Sequence, residues 1–168
     1  MAGHTIDVAG KDVWLTEIGT GSPLLYLHGI TDLHGIEADP MLFHNAVALS
    51  FRLIAPAHPG CANTAEDETL DKMDDVVFHY LRFLDALDLK SCAIVGSGIG
   101  GWIAAEIAVR HPERVQKLVL MGATGLMVSG HPISDLFWHA QPDDGVRYDS
   151  LRNLMFAGPR TEAGLKMM

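Results

Sequence analysis

The sequence alternates short apolar runs with longer stretches of helical periodicity, and this alternation restricts the fold more than any other feature. Four runs, PLLYLHG, FRLIAPA, SCAIVGS and VQKLVLMGA, begin at Pro23, Phe51, Ser91 and Val115. Runs that are apolar almost throughout are typical of strands buried on both faces, and intervening helices are typical of parallel strands joined by crossovers. The pattern predicts a three-layer α/β/α fold around a mostly parallel sheet.

The first residues of the chain follow a different pattern. HTIDVAG and KDVWLTEIG are strand-like stretches on either side of a turn at Gly10. Neighbouring strands joined by a tight turn pair in antiparallel fashion. We therefore expect the sheet to begin with an antiparallel hairpin and to become parallel afterwards.

Three helices are expected between the later strands. The weakest pattern runs from about Pro40 to Ser50, and the longest has an apolar stripe from Leu70 to Leu87. The third, GWIAAEIAVRH, must end before Pro112, because a proline restricts the residue ahead of it. Acidic residues favour a helix N-terminus, and four of them precede the longest stripe: Glu66, Asp67, Glu68 and Asp71.

Between the third apolar run and the third helix lies a glycine-rich turn, in the segment AIVGSGIGGWIAAEIA. It resembles the nucleophile elbow of the α/β-hydrolase superfamily, G-x-S-x-G, with Gly96 and Gly100 as the flanking glycines. In this register the central residue is Gly98, where family members carry serine or, less often, aspartate or cysteine. A glycine has no side chain that could attack a substrate, so the resemblance implies a hydrolase fold with a vacant nucleophile position.

Ser97 is the alternative nucleophile. Moving the register by one residue would place the β-branched Val95 and Ile99 at positions that must be small, and would turn the hydroxyl towards the other side of the strand end. We therefore interpret Ser97 as a polar residue that satisfies backbone groups beside a tight turn.

The segment LLYLHGITD resembles the strand-to-loop segment in which the family builds part of its oxyanion hole. The resemblance implies that the backbone amides of Ile30 and Ile99 would supply the two hydrogen bonds. It also implies that His28 and Gly29 belong to the structural motif of this loop, and that His28 packs the loop instead of taking part in catalysis.

The segment LIAPAHPGCANT is similar to the family turn APDxPGxGxS, with Pro56, Pro59 and Gly60 retained. It departs from that turn twice, since Ala57 replaces the usual aspartate and Ala62 the usual glycine. Cys61, in the same turn, is interpreted as a packing residue, because no basic partner is assured nearby.

The resemblance covers roughly residues 10–127 and implies a core over residues 1–125, followed by the start of a helical cap or lid over residues 126–168. In the family the catalytic acid and histidine follow later strands. This chain ends first, so the fold is expected to be truncated before its last strands. The strand around Leu118 would then be an exposed apolar edge that favours self-association. The remaining candidates are interpreted as lid or loop residues: His131, His139, Asp135, Asp143 and Asp144.

Composition excludes several classes of partner. The net charge of −9, from 21 acidic and 12 basic residues, disfavours nucleic acids and anionic membranes. No apolar run is long enough for a membrane span, and the N-terminus lacks the features of a signal peptide, so a cytoplasmic protein is expected. The two cysteines, Cys61 and Cys92, are predicted to be free thiols. The nine histidines lack HxxxH or HExxH spacing on a predicted helix, and no metal or other cofactor is expected.

The function that these observations favour is an inactive member of a family that hydrolyses small esters or carbon–carbon bonds, with a small molecule as substrate or ligand. Two alternatives remain open. The same fold could serve as a non-catalytic ligand-binding protein. Alternatively, Gly96, Gly98 and Gly101 satisfy the dinucleotide motif G-x-G-x-x-G of a Rossmann fold, although the following strand ends in Met121, without an acid for a ribose hydroxyl.

Overall fold

The computed structural model describes residues 3–30, 32 and 41–130. Within these residues the strands are β1 (Gly3–Val8), β2 (Lys11–Ile18), β3 (Ser22–Leu27), β4 (Phe51–Pro56), β5 (Cys92–Ser97) and β6 (Val115–Met121). The helices are α1 (Leu42–Ala48), α2 (Met73–Ala86) and α3 (Ile99–Arg110), and a single 3-10 turn spans Pro112–Arg114.

The strands form one sheet in the order β1-β2-β4-β3-β5-β6. β1 pairs with β2, and β2 with β4, in antiparallel fashion, whereas the pairs β4–β3, β3–β5 and β5–β6 are parallel. In the centre of the sheet Leu25 lies opposite Ile54 on one side and Ile94 on the other. The predicted α/β class is therefore confirmed, including the antiparallel hairpin that opens the sheet.

Helices cover both faces of the sheet and bury two separate cores. α2 and α3 pack on one face with Cys92 and Ile94 of β5, and Val47 of α1 packs on the other with Val95. Successive side chains of a strand point to opposite faces. Gly96 therefore belongs to the α2 and α3 face, and Ser97 to the α1 face.

The predicted helix boundaries were wrong in three places. α1 is shorter than the expected stretch from about Pro40 to Ser50, and α2 begins at Met73, three residues after Leu70. The four acids precede α2, as expected, but its first turn contains Asp74 and Asp75. Asp75 instead accepts hydrogen bonds from the backbone amides of Lys72 and Asp71, which fixes the helix start. α3 begins at Ile99, two residues early, because it starts directly from the glycine turn.

The outer edge of the sheet is formed by β6, which pairs with β5 among the described residues. Its side chains Leu118, Val119 and Leu120 are 36 to 50% exposed. Cys61 and Cys92 are free thiols, as predicted. In the part of the chain that the structure describes, no helix is long and apolar enough to cross a bilayer.

The chain divides into two compact units, Met1–Leu126 and Met127–Met168. Most of the second unit, from residue 131 onward, lies outside the described residues. The lid or loop interpretation of its histidines and acids therefore stays a prediction: His131, His139, Asp135, Asp143 and Asp144.

Candidate active site

The turn between β5 and α3 is held tightly at Gly98. Its backbone has φ +53° and ψ −118°, a conformation that residues with a side chain rarely adopt. The amide of Gly98 donates a hydrogen bond to the carbonyl of Met121 at 3.0 Å, and its carbonyl accepts one from the amide of Thr124, also at 3.0 Å. Gly98 therefore lies at the apex of the turn, at the carboxyl end of the parallel strands.

The two flanking glycines have no room for a side chain. A Cβ on Gly96 would lie 2.3 Å from the carbonyl oxygen of Gly100. A Cβ on Gly100 would lie 2.2 Å from the carbonyl oxygen of Leu27, at the end of β3. This close packing beneath the apex is the spatial requirement of a G-x-S-x-G elbow, with Gly98 at the centre.

The apex itself has space for a side chain. The nearest heavy atom to a Cβ on Gly98 would be the Cα of Gly29, at 3.4 Å. A side chain at this position would therefore project beside the loop that begins with His28 and Gly29. The backbone here has the geometry of a nucleophile site, and the residue present supplies no nucleophile.

At the end of β5, Ser97 belongs to the α1 face of the sheet, opposite to the face of Gly96, and lies close to Tyr26 and Asp32. Its side chain hydrogen-bonds with the Tyr26 hydroxyl, which also donates a hydrogen bond to a carboxylate oxygen of Asp32. Burial, followed by the effect of Asp32, raises the pKa of Tyr26 far above its usual value. Ser97 is therefore part of a partly buried polar group on the α1 side of the strand end, and its Oγ also lies near Gly29, 3.3 Å from where a Cβ on Gly29 would stand.

Asp32 is a site residue that the sequence analysis missed. Its Oδ1 accepts a hydrogen bond of 2.5 Å from the amide of Gly29. An acid three residues after a glycine in a tight loop is a recognisable signal, since a short acidic side chain often bonds to nearby backbone amides. Because the amide of Gly29 is engaged by Asp32, Ile30 is the next amide of this loop that could face a substrate oxygen.

The second candidate amide, that of Ile99, opens α3. The first amides of a helix have no acceptor within the helix, and the helix dipole adds partial positive charge there. Ile30, the other candidate, has a side chain that is 80% exposed. The role of both amides stays a prediction: Ile99 directly follows Gly98, and Ile30 directly follows Gly29, whose Cα lies 3.4 Å from where a Cβ on Gly98 would stand.

His28 and His58 form a closed pair of hydrogen bonds that holds this loop. The amide of His58 donates to Nε2 of His28 at 3.0 Å, and Nε2 of His58 donates to the carbonyl oxygen of His28 at 2.8 Å. His28 also donates from Nδ1 to the carbonyl oxygen of Gly29 at 2.7 Å. The Tyr80 hydroxyl completes the chain by donating to Nδ1 of His58. The sequence analysis placed His28 in a packing role but did not find its partners His58 and Tyr80.

Burial keeps both rings neutral at pH 7. It is the largest cause of the lowered pKa of His28, and together with the proximity of His28 it lowers the pKa of His58 to about 4. The hydrogen bonds use both nitrogens of each ring. Neither histidine therefore has a free lone pair with which to accept a proton from a nucleophile at the apex.

The turn after β4 contains the two positions at which the sequence departs from the family pattern. Ala62, which replaces a glycine, has a positive φ of +48°. Ala57, which replaces an aspartate, is buried, and its carbonyl accepts a hydrogen bond from the Thr64 hydroxyl at 3.1 Å. Burial raises the pKa of Cys61 in this turn, so its sulfur is a thiol and a weak nucleophile.

A cleft with a volume of about 480 Å³ lies beside the elbow. Ile99 and Ile103 of α3 line one side, His58 contributes to another, and Glu66 and Glu68 also line it. Among the described residues no group of three or more histidines, cysteines or acids could hold a metal ion. The cleft is large enough for a small organic molecule, and Ile99 is among the residues that line it.

Comparisons with known proteins support the fold class. Residues 22–152 match the family described as alpha/beta hydrolase fold. A 2-hydroxymuconate semialdehyde hydrolase of Pseudomonas putida is 50% identical over 132 residues, which are 74% of this chain and 44% of that protein. Another, from Pseudomonas sp. strain CF600, is 36% identical over 141 residues, covering 83% of this chain and 50% of that protein.

Among solved structures, a meta-cleavage product hydrolase from Pseudomonas fluorescens IP01 superimposes with a TM-score of 0.66 at 28% sequence identity. The match covers 90% of this chain and 55% of that one. The chain spans about half the length of the curated relatives that it matches.

Proposed function

Because the chain belongs to the α/β hydrolase fold family, we propose that it descends from hydrolases of small esters or carbon–carbon bonds and that its own catalysis is lost at Gly98. The observation that carries the proposal is the elbow apex, which has the strained backbone and the open space of a nucleophile site but no side chain. Covalent catalysis requires an atom at this point to form the bond to the substrate carbonyl, and glycine offers none.

The proposed substrate class comes from the names of the relatives. These include 2-hydroxymuconate semialdehyde hydrolase and 2-hydroxy-6-oxo-2,4-heptadienoate hydrolase, which act on conjugated oxo acids. In such a reaction the amides of Ile30 and Ile99 would stabilise the negative charge that develops on the attacked carbonyl oxygen. Here they would orient that oxygen without a nucleophile to attack its carbon.

The proposal also covers the partners of the chain and its location. A small molecule is the proposed partner, and the net charge of −9 argues against nucleic acids and anionic membranes. The exposed side chains of β6 support self-association through this edge. A cytoplasmic location is proposed with them.

A non-catalytic ligand-binding role is the second candidate. The cleft beside Ile99 supports it, because a binding site can be kept when the nucleophile is lost. A dinucleotide site has less support, since Gly96 packs on Gly100 and Gly101 packs on Ala123, which accounts for two of the three motif glycines. Titration with a nicotinamide or flavin dinucleotide tests that alternative directly.

The proposal is tested by restoring the side chain in two contexts. In this chain, Gly98→Ser should leave ester turnover near background, because His28 and His58 are both engaged. In a chimera that continues with the C-terminal half of the 50% identical relative, Gly98→Ser should give hydrolysis of 2-hydroxymuconate semialdehyde and labelling by a serine-directed phosphonate.

Matched variants of the chimera separate the two possible nucleophiles. Gly98→Ala has the same backbone strain without a hydroxyl and should stay inactive. Ser97→Ala, added to Gly98→Ser, should keep the restored activity. If the unchanged chimera is active and Ser97→Ala abolishes that activity, the assignment of Gly98 is wrong. If Gly98→Ser restores nothing in a folded chimera, the ligand-binding candidate takes its place.

A further inference from the structure

The loop after β3 contains a carboxylate, that of Asp32, whose two oxygens are both hydrogen-bonded. Oδ1 accepts the hydrogen bond of 2.5 Å from the amide of Gly29, and Oδ2 accepts one from the hydroxyl of Tyr26 in β3. The same hydroxyl hydrogen-bonds with the side chain of Ser97, at the end of β5. We call these four residues the Asp32 clasp. The clasp connects the loop with the strand before it and with the strand that leads into the elbow.

Gly29 is held on both sides of its backbone. Its amide donates to Asp32, and its carbonyl oxygen accepts a hydrogen bond from Nδ1 of His28 at 2.7 Å. The described peptide bonds are trans, and a trans peptide bond is planar, so the amide of Ile30 lies in the plane of that carbonyl and points the opposite way. Within the described part of the chain, the amide of Ile30 donates no hydrogen bond. The bonds that hold Gly29 therefore set the direction of a free amide.

The close packing of Gly29 places this amide beside the elbow. A Cβ on Gly29 would lie 2.8 Å from Oδ1 of Asp32 and 3.1 Å from the carbonyl oxygen of Ser97, so a side chain here has little room. The Cα of Gly29 is also the nearest heavy atom, at 3.4 Å, to a Cβ on Gly98. The clasp therefore holds the loop against the apex, where a reacting atom would stand.

We propose that Asp32 is a positioning residue of the oxyanion site, because its carboxylate sets the direction of the Ile30 amide and holds it beside residue 98. The proposal rests on the oxyanion role proposed for Ile30 and Ile99, and it does not require a nucleophile in the chain. A backbone amide stabilises a developing oxyanion only when its hydrogen points at that oxygen. A loop without the clasp should therefore lose this stabilisation.

The clasp acts through hydrogen bonds, and this predicts which side chains can replace the carboxylate. In Asp32→Asn the side-chain oxygen can accept from the amide of Gly29, and the side-chain nitrogen can donate to the hydroxyl oxygen of Tyr26. In Asp32→Leu neither bond can form, although the side chain is of similar size. The two variants therefore separate the hydrogen bonds of the clasp from the volume of the side chain.

A thiol at the apex measures oxyanion stabilisation in the 168-residue chain. In Gly98→Cys, combined with Cys61→Ser, the thiolate sulfur attacks the carbonyl carbon of p-nitrophenyl acetate, an oxyanion forms, and p-nitrophenolate departs, so that a thioester remains. Alkylation by iodoacetamide displaces iodide from a saturated carbon and forms no oxyanion. The ratio of the acylation rate to the alkylation rate therefore reports the oxyanion site, since exposure and thiolate fraction affect both rates alike.

The loss of an oxyanion donor sets the size of the expected changes. The ratio in Gly98→Cys should exceed that of free N-acetylcysteine about tenfold or more. Adding Asp32→Leu should lower the ratio at least about tenfold, because the amide of Ile30 is no longer held in place. Adding Asp32→Asn should keep the ratio within about threefold of its starting value, because both hydrogen bonds of the clasp can form.

Two further variants test the other end of the clasp and provide a control. Tyr26→Phe keeps the ring contacts with Phe43 and His44 but removes the donor to Asp32, and it should lower the ratio about threefold or more. Asp12→Leu replaces an exposed aspartate of β2 and should leave the ratio unchanged. Circular dichroism verifies that each variant is folded, and Tyr26→Phe decides the outcome if Asp32→Leu does not fold.

The proposal is overturned if the ratio in Gly98→Cys is no higher than in N-acetylcysteine, or if neither Asp32→Leu nor Tyr26→Phe lowers it. A loss in Asp32→Asn or in Asp12→Leu as large as that in Asp32→Leu would overturn it as well. If Asp32→Leu lowers the ratio while the chimera with Gly98→Ser stays inactive, the proposal that catalysis is lost at Gly98 fails and the positioning role of Asp32 stands.

Discussion

The packing beneath the elbow predicts a large penalty for a single methyl group at Gly100. In Gly100→Ala the new Cβ would lie 2.2 Å from the carbonyl oxygen of Leu27 and 2.5 Å from that of His28. Ordinary contact begins at 3.4 Å, so β3 and α3 would have to separate by roughly 1 Å. Both neighbours are backbone atoms that cannot rotate away, and we expect a loss of at least about 3 kcal/mol in the free energy of unfolding.

Two matched glycines distinguish crowding from backbone strain. Gly10→Ala has φ +83° with no atom within 4 Å, so it measures the conformational cost alone, which is about 1 kcal/mol. Gly98→Ala adds only the 3.4 Å contact with Gly29 and should cost about 1 to 2 kcal/mol. Urea denaturation of the three variants, followed by circular dichroism, gives each value from the midpoint and slope.

The order of the three losses is the critical result. Gly100→Ala should be the most destabilising of the three substitutions and should lower the melting temperature by roughly 6 to 12 °C. A Gly100→Ala variant as stable as Gly10→Ala would show that the close packing of β3 on α3 is incorrect. A loss at Gly98 larger than that at Gly100 would show that the apex is not open.

Two further predictions concern the histidine pair. Tyr80→Phe removes the donor to Nδ1 of His58 and should lower the free energy of unfolding, measured by denaturation, by about 1 to 3 kcal/mol. It should also change the 15N chemical shifts of the His58 ring, and an unchanged ring signal would refute the contact. The pKa of His58 is about 4 in the folded chain, whereas its ordinary value is 6.5. Between these two pH values the unfolded chain therefore binds more protons than the folded chain. About 3 kcal/mol of the free energy of unfolding, present above pH 6.5, should be lost as the pH falls to 4. His58→Gln should reduce that dependence, because the lowered pKa values of His28, His44 and His79 still contribute to it. A wild-type stability that is constant over this range would contradict the prediction.

The fold could be predicted from the sequence because its apolar runs exclude most alternatives. PLLYLHG and SCAIVGS are short and apolar almost throughout, as strands buried on both faces are, and the helical stretches between them favour a parallel sheet covered by helices. Helix ends were less predictable. The start of α2 depends on the hydrogen bonds of Asp75, and the start of α3 depends on the turn at Gly98. Hydrophobic periodicity indicates neither of these features.

The candidate site was predictable where it depends on local spacing. Gly96 and Gly100 are close in the chain, and their fixed offset from Gly98 indicates the elbow. Asp32 was missed because its acceptor role depends on how the loop folds back on Gly29. His58 and Tyr80 were missed because they lie 22 residues apart, and only the packing of α2 on the sheet brings them together.

The reactivity of introduced cysteines shows directly whether residue 98 or residue 97 lies at the apex of the elbow. We place residue 98 there. Gly98→Cys and Ser97→Cys are each introduced together with Cys61→Ser, which removes the more accessible natural thiol. Cys92 can stay, because it is buried and its pKa is raised to about 11, so it should not react with the reagent. The rate of alkylation by iodoacetamide is then compared. We expect the thiol at residue 98, which is open and next to the N-terminus of α3, to react at least about tenfold faster than the thiol at residue 97. Equal rates, or faster reaction at residue 97, would contradict the claim.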